Sequence, residues 1–316
     1  MSRPFRFGVQ ISTLPAEGWA DRVRRIEALG YSTLFVPDHF GSQWEPVATI
    51  AAAAAVTERL NVGSLVYDVD YRHPVVLAKA AATTHVLSGG RHEFGIGAGW
   101  MESDYVEAGM RYDRPGIRIS RLEEALQIMR GMWTQEKTSF EGEYYQVRDI
   151  APAIELPEGE RPTVLIGGGG KRVLSIAGRH ADIVGINPSL VEGKVTAQTA
   201  ADLKPENVRM KTGWARAAAE KAGRDPDAIE FNGLAFVVAI SDDVSGLRNG
   251  LAASSGMTAD EVADCPIFLT GSPSELRDRL EKRREDTGIS YTVIPGKDLA
   301  VLEQFAEAVV EPLAGK

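Results

Sequence analysis

Asp38-His39 stands directly after the apolar run Thr33-Leu34-Phe35-Val36-Pro37. An imidazole exchanges a proton near neutral pH, and an adjacent carboxylate can hold its tautomer or meet a ligand. A lone histidine serves as readily as a satisfied structural group. Its place at the end of a strand is what admits His39 to the chemistry. A second candidate is the stretch Pro162-Thr163-Val164-Leu165-Ile166 followed by Gly167, Gly168, Gly169, Gly170, Lys171 and Arg172. It reads as a strand, a glycine turn and a helix. Glycines let the backbone approach a ligand, and a helix N-terminus offers free N–H groups to an anion. Lys171 and Arg172 put positive charge at that end, so the turn is expected to bind phosphate. A tightly packed turn is the competing explanation. Neither the GxGxxG fingerprint nor a P-loop helps to decide.

Other candidates follow apolar runs in the same way. Ser64, Tyr67 and Asp68 lie on one, with Arg72-His73-Pro74 just beyond; Gly97-Ala98-Gly99-Trp100 closes another and leads to Glu102, Ser103 and Asp104. Arg72-His73-Pro74 is expected to cap and pack a helix. Glu102 and Asp104 are paired acids that could handle a proton or simply face water. Trp44 and Trp100 could wall an aromatic ligand or pack. No HExxH pattern and no GxSxG elbow occurs, which argues against metal catalysis and serine hydrolysis.

These residues need elements to hold them. Runs at 5–11, 33–37, 60–67, 92–97, 162–166, 181–186, within 229–240 and at 290–295 read as eight strands. The first alternates, but the strands of the first hundred residues are mostly apolar, as strands buried on both faces should be. Helical stripes lie between them: Trp19, Val23, Ile26 and Leu29 before Gly30, an alanine-rich segment at 46–58, and longer stretches at 74–87 and 118–133. A hairpin is expected at 138–147, a helix ending near Gly223, and a terminal helix from about Asp298. The rhythm predicts a (β/α)8 TIM barrel with loop insertions at 98–117, 134–160, 187–207 and 241–270. A minimal barrel takes about 250 residues, so 316 residues leave room for them in a single domain over 1–316. A doubly wound sheet is the alternative. In a barrel, the C-terminal strand ends carry the chemistry, and all the candidates above fall there.

Composition narrows the partners. With 44% apolar and 25% charged residues and a net charge of −9, neither a nucleic acid nor an anionic membrane is an expected partner. The single cysteine, Cys265, excludes an internal disulfide framework. No signal-peptide core and no long apolar span is visible, so the protein is expected in the cytoplasm.

Taken in order, Leu29-Gly30-Tyr31 through Val36-Pro37-Asp38-His39, Arg72-His73-Pro74, Gly97-Ala98-Gly99-Trp100 and Ile166 to Gly170 resemble the luciferase-like monooxygenase superfamily. Within it they look closest to the branch using the deazaflavin coenzyme F420. The resemblance runs from about residue 5 to 310. It implies a (β/α)8 barrel, often a homodimer, holding a flavin or deazaflavin at its C-terminal mouth. By the same resemblance Asp38 contacts the deazaflavin edge and His39 is the catalytic imidazole. Ser64-Leu65 matches a bulge with a non-prolyl cis peptide against the ring, Ser103 a polar ring contact, and Gly167 to Gly170 the phosphate turn. Two departures matter. Where the deazaflavin-dependent sugar-phosphate dehydrogenases carry a glutamate after the fourth strand's glycines, this chain has Trp100, which argues against a sugar phosphate. The serines frequent in the phosphate turn of the flavin monooxygenases are absent, which favours F420 over FMN.

The expected function is therefore hydride transfer between F420 and a small organic substrate, with His39, and after it Glu102, handling the proton. An FMN-dependent monooxygenase fed by a flavin reductase is the alternative, and a flavin-binding protein without chemistry is the third reading.

Overall fold

The computed structural model describes residues 3–152, 154–190 and 197–316. Along the chain run β1 (Arg6–Gln10), α1 (Trp19–Ala28), β2 (Thr33–Val36), α2 (Pro46–Ala55), β3 (Asn61–Ser64), β4 (Tyr67–Asp68), α3 (Pro74–Leu87), β5 (His92–Gly97), α4 (Glu102–Glu107) and α5 (Pro115–Thr134). The hairpin β6 (Thr138–Glu141) and β7 (Gln146–Ile150) follows, then β8 (Thr163–Gly168), α6 (Lys171–His180), β9 (Ile183–Ile186), α7 (Ala197–Ala201) and α8 (Pro205–Lys221). The last stretch holds β10 (Glu230–Leu234), β11 (Val237–Ile240), α9 (Ser245–Ser255), α10 (Ala259–Asp264), β12 (Phe268–Gly271), α11 (Pro273–Thr287), β13 (Ile289–Pro295) and α12 (Leu299–Phe305).

The barrel closes in the order β3, β2, β1, β13, β10, β9, β8, β5, with β5 returning to β3 and every pairing parallel. It is an eight-stranded (β/α)8 barrel. Strands with helices outside and side chains inside are wet on neither face, which is why β2 and β5 are buried along their whole length. Phe35, Leu65, Leu165, Ile183, Tyr291 and Val293 fill the interior. A larger apolar layer packs between strands and helices, including Val23 and Ile26 of the amphipathic α1. Helix starts are set locally: Pro46 and Pro74 occupy first turns, and the Glu45 carboxylate accepts the Ala48 N–H at 2.8 Å.

Three expectations need correction. The third strand is not continuous over 60–67. It breaks between β3 and β4, and the cis peptide is Leu65–Val66, one bond later than Ser64–Leu65. The break is accommodated by Gly95 of β5, where a Cβ would strike the Ser64 carbonyl. The seventh barrel strand lies within 229–240 as expected and is β10, while β11 leaves the barrel and pairs with β12. The segment 241–270 is therefore not a loop but two helices and a strand, with a capping box between Thr258 and Glu261 starting α10. Of the polar stretch 187–207, residues 191–196 lie outside the described residues. Among the described residues no helix is long and apolar enough to cross a membrane.

Candidate active site

His39 follows β2, and its side chain is half-buried at the C-terminal mouth. Its Nδ1 lies 2.6 Å from Asp104 Oδ2 in the first turn of α4. The Trp100 ring meets the imidazole edge-on with centroids 5.6 Å apart. The Tyr71 hydroxyl donates to the same Asp104 oxygen at 3.2 Å, and Phe40 stacks on Tyr71. A carboxylate thus holds the imidazole, but it is Asp104 and not the adjacent Asp38. Glu102 is exposed in the same turn, and Ser103 beside it is exposed as well.

Asp38 is buried and committed elsewhere. Arg72 grips it with both guanidinium nitrogens, at 2.6 and 3.1 Å, and the Asp68 N–H donates to it at 3.0 Å. Arg72 also reaches Glu45 at 2.8 Å. Arg72 is therefore an ion-pair residue of the site rather than part of a helix cap, while His73 does cap α3, accepting the Val75 N–H at 3.3 Å. Asp68 in turn accepts the Tyr105 hydroxyl at 2.8 Å, and the same hydroxyl lies 3.0 Å from Asp70. Burial pushes the Asp68 carboxyl up to about 7, with the nearby Asp70 adding to it. Burial and the neighbouring carboxylates likewise raise Tyr71 and Tyr105, so both phenols stay protonated and act as donors.

The Gly97-Ala98-Gly99-Trp100 turn is clamped from outside. Arg118 Nε donates to the Ala98 carbonyl at 3.2 Å, and the Tyr112 hydroxyl to the Trp100 carbonyl at 2.9 Å. Gly99 has φ +70°, and a Cβ there would collide with the Tyr105 hydroxyl and the Asp68 carboxylate. The floor of the mouth is Val66. Its methyl groups lie 2.9 Å from where a Gly97 Cβ would sit and 3.6 Å from the same point on Gly167. Larger residues at either position would rebuild the floor.

The glycine turn splits into two kinds of position. A Cβ on Gly168 would strike Val173, and one on Gly169 the Pro188 carbonyl, so these two glycines serve packing within the chain. Gly167 faces the Asn187 amide, with its Cβ position 3.1 Å from Nδ2. At Gly170 a Cβ would meet nothing within 4 Å. Gly170 precedes α6, whose first-turn N–H groups have no side-chain cap. Lys171 is exposed there, whereas Arg172 turns away to donate to the Gly116 carbonyl and Ser120 Oγ, both at 2.8 Å. The loop against Gly169 is held by a buried amine: Lys211 donates to the Asn187 carbonyl at 2.8 Å and to Asp202 at 2.6 Å, and Asp202 accepts the Ser189 N–H at 2.7 Å. Burial lowers the basicity of Lys211.

The sequence alone missed Tyr71, Tyr105, Val66 and the pairing of Asp104 with His39, whereas Asn187 was expected at the end of the sixth strand. Barrel order was the available signal for the last, since strands two and four flank strand three and bring their exits together.

Comparison with known proteins agrees with this fold. The model of the luciferase-like monooxygenase family matches residues 2–263, and the chain belongs to that family. It is 28% identical to an F420-dependent glucose-6-phosphate dehydrogenase of Intrasporangium calvum, over 93% of this chain and 94% of the relative. It is 26% identical to a phthiodiolone/phenolphthiodiolone dimycocerosates ketoreductase of Mycobacterium bovis, over 85% of this chain and 78% of that one. An F420-dependent secondary alcohol dehydrogenase, solved with an F420–acetone adduct, superimposes with a TM-score of 0.78 at 16% identity, covering 97% and 98% of the two chains.

Proposed function

We propose that this protein is an F420-dependent oxidoreductase acting on a small organic carbonyl or the corresponding alcohol. The observation that carries the reading is His39, braced at Nδ1 and without a protein partner at Nε2 among the described residues, at a barrel mouth floored by Val66, Gly97 and Gly167. The names of two relatives support the cofactor, since both are F420-dependent dehydrogenases, and the ketoreductase supports a carbonyl substrate.

The residues fit such a group. The uncapped N-terminus of α6, the open side of Gly170 and Lys171 would hold a phosphate. The other turn glycines, Gly167, Gly168 and Gly169, shape the approach, and Arg172 braces the turn against α5. The Leu65–Val66 floor would take the flat ring, with Ser103 exposed nearby. The expected contacts from Asp38 and Ser64 do not fit, because Arg72 closes Asp38 and the fully buried Ser64 hydroxyl donates to the Val36 carbonyl at 2.9 Å. When bound, the deazaflavin supplies a hydride donor and acceptor at carbon five. The protein orients the substrate and manages one proton. In the reducing direction Nε2 gives that proton to the carbonyl oxygen; in the oxidising direction it takes the alcohol proton. Glu102, exposed in the neighbouring turn, stands second for this role.

Trp100 against His39, with Arg72, Arg118 and Arg121 all occupied by Asp38, backbone carbonyls, Asp70 and Asp113, favours an uncharged substrate over a sugar phosphate. We further place the protein in the cytoplasm and read it as a homodimer. Val76, Val86 and Leu87 leave α3 apolar and exposed, at 59%, 49% and 72%, beside the alanine-rich α2. Light scattering at micromolar concentration checks the dimer. For the cofactor, purified protein is titrated separately with F420 and FMN, following absorbance and fluorescence. Micromolar F420 binding is expected. FMN binding without an F420 response would overturn the reading in favour of a monooxygenase.

A further inference from the structure

His39 carries the proton in the proposed reaction, and what it can do depends on which ring nitrogen holds the resting proton. A free neutral histidine in water favours the Nε2–H form. Here Nδ1 faces a carboxylate oxygen at 2.6 Å, and an ionised carboxylate only accepts hydrogen bonds. Asp104 is 5% exposed and has little freedom to leave. Its oxygen also accepts from Tyr71 at 3.2 Å, which aims the carboxylate, and Trp100 lies edge-on to the imidazole.

From this geometry, and resting on His39 as the proton carrier, we infer that Asp104 is a positioning residue that fixes the tautomer of His39. It keeps neutral His39 in the Nδ1–H form, so the lone pair on Nε2 is the base for alcohol oxidation. The O–H proton of the alcohol passes to Nε2 while the carbon–hydrogen pair leaves as hydride to oxidised F420, and the carbonyl forms. Carbonyl reduction runs the same transfer backwards, with the doubly protonated ring giving its Nε2 proton to the carbonyl oxygen.

The other charged groups around the imidazole do not substitute for Asp104. Asp38, next in the chain, is closed by Arg72, which also holds Glu45. Asp68 and Asp70 share the Tyr105 hydroxyl, and Asp70 is further paired with Arg121. Glu102 on α4 is exposed.

The test uses cofactor-free protein labelled with 15N-histidine. The chain has five histidines, so His39 is assigned by the signal lost in His39→Ala. A protonated Nδ1 and an unprotonated Nε2 are expected for neutral His39, reverting to the Nε2–H form in Asp104→Asn. With F420 bound, Asp104→Asn should lower turnover roughly 10²-fold or more through the wrong tautomer. Asp104→Glu should restore part of the rate and the Nδ1–H tautomer, and Tyr71→Phe should keep the tautomer and lose only a few-fold. An Nε2–H His39 in the wild type overturns the inference, as does an Asp104→Asn protein with the wild-type tautomer and rate. If Asp104→Asn does not fold, the wild-type tautomer decides alone. The resonance reads the tautomer whether or not F420 binds, so a failed F420 titration strikes the function and not this pairing.

Discussion

The two ends of the barrel are built on opposite principles. At the N-terminal end, a cavity of about 280 Å³ is lined by Arg6, Asn61, His92, Glu93, Asp182 and Glu230 among others. Its charges answer one another. Glu93 accepts from Arg6, from Thr33 at 3.2 Å, Asn61 at 3.0 Å and Tyr291 at 3.0 Å, and Arg6 also pairs with Glu230 at 2.7 Å. Asp182 is closed by Arg161, and burial holds His92 neutral, pushed down to about 4. At the C-terminal end the equivalent ion pairs are present, yet among the described residues His39 Nε2 and the Lys171 amine are left without partners. We read this hollow as a structural knot of paired charges and assign the chemistry to the end that carries His39. Neutralised charge builds stability; unanswered groups build function.

That contrast can be broken from either end. The largest expected effect is at the bottom: Glu93→Ala leaves Arg6 and Tyr291 short of a partner inside the barrel and should cost about 3 kcal/mol or more in urea unfolding, with turnover per folded molecule unchanged. A parallel loss of turnover would show that the two ends are not separable. At the mouth, His39→Ala should lower turnover roughly 10²-fold or more while F420 affinity stays within a few-fold and the melting temperature is unmoved. An unchanged rate would remove His39 from the mechanism.

The smallest effect sharpens the comparison within the glycine turn itself. Gly170→Ala meets open space and should change stability by no more than about 0.5 kcal/mol while weakening F420 binding roughly fivefold. Gly169→Ala drives a methyl into the Pro188 carbonyl and should cost about 1–3 kcal/mol of stability. Equal behaviour of the two variants would mean that the turn serves packing only.

Much of this was readable beforehand because strands buried on both faces are mostly apolar, and six of the eight barrel strands fall within their expected runs. Of the other two, β8 continues into Gly167 and Gly168, and β13 begins one residue before its run, at Ile289. Position at a strand end also put His39 and the glycine turn at the mouth. What stayed hidden were facts of distance rather than pattern. His39 and Asp104 are 65 positions apart, and nothing local to either says that they meet. Arg72 looked like part of a helix cap because Pro74 starts α3 two residues later. The highly charged α11 had no apolar stripe to announce it, since only Leu276, Leu280, Arg283 and Thr287 turn inward. The glycine run was legible as a turn, but only coordinates separate the two glycines that pack against Val173 and Pro188 from the one left open.

Asp68 carries one more consequence. Its N–H holds Asp38, its carboxyl holds Tyr105 of α4, and Gly99 can sit over it only because it lacks a side chain. The exits of strands two, three and four are thereby joined into one unit of inheritance. Transplanting residues 98–113 from a relative to change substrate range would bring in a loop cut for another foundation, whereas a graft that also carries residues 38–40 and 65–72 moves the whole joint and should keep the mouth in shape.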